Sequence, residues 1–198
     1  MGYRENFFRD YEAVRVPGKD GRKDRIRYEY VGDWCEWDLG ADALARRKRL
    51  CAGLTAAAGA LALFAGTRRN LLNVRPLLAV PGLVALAALI FAVIGAVQFC
   101  RMGARVPLRD RTGMNMRVMG GHVFFFAAET VYFVGSAALL LSGAVPAARG
   151  ELLSALSGLL AAALSFCALR NQRALRWHEE PGTRSREEQK KKAPASRT

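Results

Sequence analysis

Four long apolar runs divide the chain, and polar segments rich in arginine separate them. The runs cover residues 50–66, 77–100, 118–141 and 152–169. A helix needs about 17–25 mostly apolar residues to cross the hydrocarbon core of a bilayer. The pattern therefore predicts an all-α membrane protein, a four-span transmembrane helical bundle that occupies residues 50–170.

The segment before the first run has a different pattern, which is typical of β-structure. Ile26, Tyr28 and Tyr30 alternate with charged residues over the length of a strand, and turn-forming residues precede them at 17–21. We expect a two- or three-stranded meander within residues 12–38, ending in the strand 34–37. So small a sheet cannot hold a core alone, so its apolar face should be covered.

Two interpretations of this N-terminal segment, residues 1–49, remain open. It could be a docking platform for a cytoplasmic partner. It could instead be a flap that lies on its own helices or on lipid headgroups, with Trp34 and Trp37 as interfacial anchors. The second interpretation needs no partner, and the sequence favours it. At the end of the segment, a basic collar is expected to contact anionic lipid; it consists of Arg46, Arg47, Lys48 and Arg49.

The distribution of positive charge predicts the orientation of the spans. The net charge is +13, and the chain has 30 Lys and Arg residues. Residues 1–49, 101–117 and 170–198 carry 12, 5 and 9 of them, whereas residues 67–76 and 142–151 carry 3 and 1. Cytoplasmic loops hold the excess of basic residues in membrane proteins. Both termini should therefore be cytoplasmic, with residues 171–198 forming a basic tail that is disordered beyond Pro181.

The composition suggests where the protein resides. Abundant Ala, Gly and Arg with few Lys are typical of a bacterial genome of high GC content, so we expect a bacterial cytoplasmic (inner) membrane. The polar N-terminal segment does not resemble a secretory signal peptide. On this topology all four cysteines lie towards the reducing side, and we expect free thiols.

Small residues recur at four-residue spacing in two of the runs. They are Ala88, Ala92 and Ala96 in the second run, and Ser154, Gly158 and Ala162 in the fourth. Such stripes let membrane helices approach closely. A tight four-helix bundle is the favoured interpretation, and dimerisation through one of the stripes is the alternative.

The third run carries a polar stripe. His122, Glu129 and Ser136 are seven residues apart, with Tyr132 adjacent, and Glu129 lies near the middle of the run. Intramembrane carboxyl groups are costly and usually face the bundle interior or water. Three roles are open for Glu129: a proton- or cation-coupled site in a transporter, a charge partner for another subunit, or a protonated structural carboxyl hydrogen-bonded within the bundle. The sequence favours the structural role.

A metal site is a weaker hypothesis. The alternating spans place Cys51, Cys100, His122 and Cys167 at similar depth, and three thiolates with one imidazole suit tetrahedral zinc or an iron–sulfur cluster. No two of them have metal-ligand spacing within one segment, and cysteine is a common apolar filler. We therefore expect no metal and no cofactor. Phosphate-binding, metalloprotease and nucleophile-elbow motifs are also missing from the sequence, which predicts a protein that is not an enzyme.

These features favour a non-enzymatic accessory or scaffold subunit of a membrane complex. The alternative is a small oligomeric transporter or channel with Glu129 in its pathway, and a membrane enzyme is the weakest hypothesis. The expected partners are the bilayer with its anionic headgroups, and a membrane protein or a second copy of the chain. Nucleic acid is not expected, because the basic tail offers Trp177 as its one aromatic residue and no nucleic-acid-binding module is recognisable.

Overall fold

A computed structural model describes residues 10–16 and 25–183. Four helices dominate it: α1 (Ala41–Thr67), α2 (Pro76–Arg101), α3 (Leu108–Leu141) and α4 (Arg149–Arg173). Five short strands accompany them: β1 (Tyr11–Val16), β2 (Arg25–Tyr30), β3 (Trp34–Trp37), β4 (Arg105–Pro107) and β5 (Trp177–Glu180).

The four predicted spans are confirmed as helices that are long and apolar enough to cross a membrane. Each helix is longer than its apolar run. Helix α1 begins at Ala41 and includes the basic collar, and α3 has 34 residues because the polar residues 108–117 are helical rather than a loop. At a rise of 1.5 Å per residue, α3 is about 51 Å long. It therefore exceeds a hydrocarbon core of about 30 Å, which leaves room for its polar first turns outside.

The described chain forms two compact units. The membrane unit consists of Leu39–Met102 and Thr112–Arg176. The strand unit draws on three separate stretches, which end at Asp38, span Gly103–Arg111 and begin at Trp177. Helix α1 continues without a break from the basic collar into the first apolar run.

The predicted meander is correct for two strands and wrong for the third. Strands β1 and β2 form an antiparallel hairpin in which Tyr11 pairs with Tyr30. Strand β3 instead lies at the centre of a second sheet of order β4-β3-β5, where Cys35 pairs with Val106 and with Glu179. Both edges of β3 thus find backbone partners, and its apolar side chains Cys35 and Trp37 are buried.

The second sheet joins segments that lie far apart in the sequence. Helices α1 and α2 separate β3 from β4, and helices α3 and α4 separate β4 from β5. The orientation of the spans, as the charge pattern predicts it, stays a prediction.

The first part of the predicted basic tail, before Pro181, is structured. Helix α4 continues to Arg173, and residues 177–180 form β5. The single apolar aromatic of this stretch, Trp177, pairs with Trp37 across the sheet. The stretch 184–198 lies outside the described residues.

The charged face of the second sheet is held by ion pairs. Arg105 contacts Glu180 at 2.6 Å, and His178 Nδ1 lies 2.6 Å from Asp38 Oδ1. The hydrogen bond to Asp38 is the main cause that raises the pKa of His178 above its ordinary value. The sheet therefore gains from this contact fully below the pKa of an unfolded histidine, about 6.5. The gain is lost as the pH rises through the higher folded pKa.

We expect Asp38→Asn to lower the pKa of His178, because the variant removes the carboxylate that favours the imidazolium. The chain has two histidines, so their ring resonances can be assigned and titrated by NMR. Glu36→Gln is the control, and it should have a smaller effect because Glu36 lies 3.8 Å from His178 Nε2. An unchanged titration in Asp38→Asn would contradict the role given to the Asp38 contact.

The small-residue stripes lie inside the membrane unit. Ala88, Ala92 and Ala96 are all buried. A Cβ atom added at Gly121 of α3 would lie 2.5 Å from the backbone nitrogen of Ala92, and one at Gly95 of α2 would lie 2.6 Å from that of Val118. Helices α2 and α3 therefore touch backbone to backbone, which is the close packing that the stripes predict.

The apolar side chains of β2 stay largely exposed among the described residues, whereas the sequence-based expectation is a covered face. Ile26 is 64% exposed and Tyr28 is 52% exposed, on the face that also carries Ala13 and Arg15 of β1. Tyr30, at the base of the hairpin, is better enclosed, since its ring contacts those of Tyr11 and Trp34 edge-on. Burial and the nearby carboxylates raise the pKa of Tyr30 to about 12.

Candidate functional site

The polar stripe of α3 faces inwards, as its seven-residue spacing suggests. His122 and Ser136 are almost completely buried, and Glu129 and Tyr132 are each 5% exposed. All four side chains therefore lie within the membrane unit rather than on its outer surface. Glu129, Tyr132 and Ser136 lie close together on α3. His122 is separate from them and hydrogen-bonds to residues of α1 and α4.

His122 joins three helices. Its Nε2 lies 3.0 Å from the hydroxyl of Thr55 on α1, and its Nδ1 lies 2.8 Å from the hydroxyl of Ser165 on α4. A neutral imidazole offers one donor and one acceptor, so two hydroxyl groups satisfy both ring nitrogens. These hydrogen bonds link α3 to α1 and to α4.

The proposed metal ligands are not assembled. No group of three or more His, Cys, Asp or Glu residues in the described part of the chain is placed to hold a metal ion. Cys51 is buried, whereas Cys100 and Cys167 are exposed, and hydroxyl groups occupy both nitrogens of His122. All four cysteines are free, as expected for reduced thiols.

Two of the four residues of the basic collar donate hydrogen bonds within the protein. Arg47 donates a hydrogen bond of 2.9 Å to Asn171 on α4, and Lys48 donates one to the carbonyl of Met102. Arg46 and Arg49 are exposed. The contact of the collar with anionic lipid stays a prediction, and Arg46 and Arg49 are its most exposed members.

An asparagine in the loop between α1 and α2 organises one end of the membrane unit. The Asn73 amide donates to the carbonyls of Ala65 at 2.7 Å and of Arg68 at 2.9 Å. These carbonyls belong to the C-terminal end of α1, where helical partners are missing. The Asn73 carbonyl oxygen accepts a 2.9 Å hydrogen bond from the hydroxyl of Tyr132.

A second asparagine extends this network to α4. Asn70 donates to the hydroxyl of Ser154 at 2.6 Å and accepts a hydrogen bond from the backbone of Asn73. The backbone of Leu71 approaches Glu151, which is buried in the first turn of α4. Sequence reasoning did not identify these residues as part of a site. Two asparagines within a short loop between spans were the available signal.

Glu129 differs from the other buried polar groups. Its carboxyl makes no hydrogen bond to any residue in 10–16 or 25–183, although 95% of the residue is buried. The structural role favoured by the sequence needs such a bond, and the hydroxyl of Tyr132, three residues further along α3, is donated to Asn73 instead. Gly158 of α4 leaves room for the carboxyl, since a Cβ atom there would lie 3.2 Å from Glu129 Oε2.

The Glu129 carboxyl instead lines a cavity of about 380 Å³. The walls come from the C-terminal end of α1 and the N-terminal half of α2, and Glu129, Tyr132 and Asn73 supply the main polar groups. The inner wall is buried at Leu78 and Ala85, whereas the rim is exposed at Leu63 and Leu83. Cavities of about 300–1,000 Å³ with apolar walls and a few polar groups are typical of small-molecule sites.

The arrangement is thus that of a binding site, with a carboxyl group that can accept hydrogen bonds or pair with a cation. It offers no assembled metal centre within the described residues. No protein-family model, no curated protein and no solved structure matches the chain.

Proposed function

We propose that the protein is a non-enzymatic accessory subunit of a complex in a bacterial inner membrane. The four helices anchor it, and the strand unit binds a cytoplasmic segment of a partner protein. The exposed apolar face of the β1–β2 hairpin carries this proposal. Ile26 and Tyr28 are exposed there by 64% and 52%, on a hairpin of two strands.

A hairpin of this size gains little stability by itself. Burying its apolar face against another surface would stabilise it by about 25 cal/mol for each Å² of apolar area removed from water. Each strand also has an outer edge that no other described strand pairs with. A protein segment can bury the face and add a strand to one of these edges, whereas lipid headgroups cannot continue a sheet. This difference favours a protein partner over the lipid-bound flap.

Site-specific photo-crosslinking in native membranes tests the partner. A benzophenone side chain at Tyr28 points from the apolar face, and the same group at Glu29 points from the opposite face of β2. We expect a discrete adduct with one protein from position 28 and little from position 29. The captured protein must in turn co-purify the untreated chain in mild detergent. Adducts with lipid alone from position 28 would replace this proposal with the membrane-bound flap.

The orientation part of the proposal has its own test. The excess of basic residues at both ends predicts that fusions to residue 1 and residue 198 place their reporters in the cytoplasm. A fusion within the loop at residues 143–148 should report the outside and serves as the control. Reporters on opposite sides for the two ends would contradict an even number of crossings.

A second candidate is a small oligomeric transporter or channel. The cavity beside Glu129 favours it, because the carboxyl is buried, lacks a hydrogen bond to the described residues and faces an open volume. Proton- or cation-linked flux in proteoliposomes, abolished by Glu129→Gln, would distinguish this candidate from the accessory role.

A further inference from the structure

Glu129 and the cavity that it lines are not needed by the accessory role. The carboxyl is 95% buried and no described residue donates a hydrogen bond to it, so the fold leaves its acceptor capacity unused. A carboxyl group that lines a cavity and accepts no hydrogen bond from the described residues is a candidate for ligand binding.

The rest of the cavity restricts what can bind. Its described lining is mostly Ala, Leu and Gly, and Glu129 is the one charged side chain among these residues. No Lys or Arg therefore neutralises the carboxyl from the cavity wall. An aliphatic wall with one anionic group complements a ligand that has an apolar body and one cationic end.

We propose that this cavity binds a small lipophilic ammonium ion, with its N–H groups donated to the Glu129 carboxylate and its apolar body packed along α1 and α2. The geometry suits both the ammonium group and the apolar body of such a ligand. Gly158 allows the carboxyl to sit against α4, and the cavity extends from there past Ala85 and Leu78 towards the end of the bundle.

Other occupants fit less well. A neutral lipid chain would fill the apolar part but leave the carboxyl without a donor. A metal ion such as Ca²⁺ takes about six to eight oxygen ligands, and Glu129 is the single carboxylate of the described lining. The amide oxygen of Asn73 already accepts the Tyr132 hydroxyl. An ammonium group on an apolar body satisfies the carboxyl and the walls together.

Equilibrium binding to the purified full chain in lipid nanodiscs tests the site. The probes are the 4-phenylbutylammonium ion and the neutral alcohol 4-phenylbutanol, which has the same apolar body. We expect the ammonium ion to bind about tenfold or more tightly than the alcohol, because a hydrogen bond to a charged group is worth that much. Glu129→Gln should remove the difference, and it keeps the shape of the side chain.

Glu151→Gln is the matched control, because Glu151 is also a buried carboxyl of the membrane unit but does not line the cavity. It should bind the ammonium ion like the parent protein. Gly82→Leu provides a second variant should Glu129→Gln fail to fold. A Cβ atom at Gly82 meets nothing within 4 Å, so the larger side chain can extend into the cavity and should block both probes.

Equal binding of the two probes, binding that Glu129→Gln leaves unchanged, or no saturable binding at all would overturn the ammonium site. The accessory role does not depend on these results, because its crosslinking test uses the strand unit. Loss of the Tyr28 adduct would remove the accessory proposal and leave the ammonium site standing.

Discussion

Gly121→Ala is expected to destabilise the membrane unit more than any other single methyl addition on α3. The new Cβ atom would lie 2.5 Å from the backbone nitrogen of Ala92 and 2.8 Å from its Cα atom. Backbone atoms cannot rotate away as the end of a side chain can, so α2 and α3 must separate. Overpacking of this kind costs about 1–3 kcal/mol, and we expect the upper part of that range.

The neighbouring glycine provides the control. A Cβ atom at Gly120 meets nothing within 4 Å, although the residue is on the same turn of α3 and has the same helix propensity. Gly120→Ala should be neutral or slightly stabilising, because alanine is the better helix former by about 1 kcal/mol. Unfolding by SDS in mixed micelles measures the stability of both variants. Equal stabilities for the two variants would show that the helices do not touch at Gly121.

Asn73→Ala is the second variant with a large expected effect. It removes the amide that donates to the carbonyls of Ala65 and Arg68 and the oxygen that accepts the Tyr132 hydroxyl. Several groups at the end of α1 then lack partners, and each buried unsatisfied group costs about 1–3 kcal/mol. Because water can reach part of this loop, we expect a loss of about 2–3 kcal/mol in the free energy of unfolding.

Two comparisons make the Asn73 prediction specific. Tyr132→Phe removes one of the same hydrogen bonds and should cost less, about 1 kcal/mol. Asn115→Ala removes the same side chain from α3, where it is partly exposed and makes no hydrogen bond to the described residues. It should change stability little. If Asn73→Ala behaved like Asn115→Ala, the loop network would not be holding the end of α1.

The hydrogen-bond network around Asn73 shares two residues with the lining of the cavity. Asn73 and Tyr132 line the cavity beside Glu129, and their mutual hydrogen bond leaves the carboxyl without a hydroxyl donor. The Tyr132 hydroxyl therefore supports the end of α1 rather than the Glu129 carboxyl. The sequence could not indicate this contact, because Asn73 lies in a loop 59 residues from Tyr132.

The sequence by itself determined the four spans and the inward direction of the α3 stripe. The hydrophobicity of a run depends on its own residues, so its ability to cross a bilayer can be derived without knowing its neighbours. The seven-residue interval from His122 to Glu129 and to Ser136 likewise fixes a common helix face, because two turns of a helix take about seven residues. All three residues are buried in the structure.

The tertiary structure decided the partners of those elements. Strand β3 pairs with strands near residues 106 and 179, which the sequence separates from it by two and four helices, and β4 is three residues long. A strand of three residues is too short to show a hydrophobic alternation in the sequence. The exposed hairpin face, the Asn73 network and the cavity beside Glu129 likewise depend on distances between residues far apart in the chain. Such distances are set by how the helices pack, and local hydrophobicity and periodicity do not encode them.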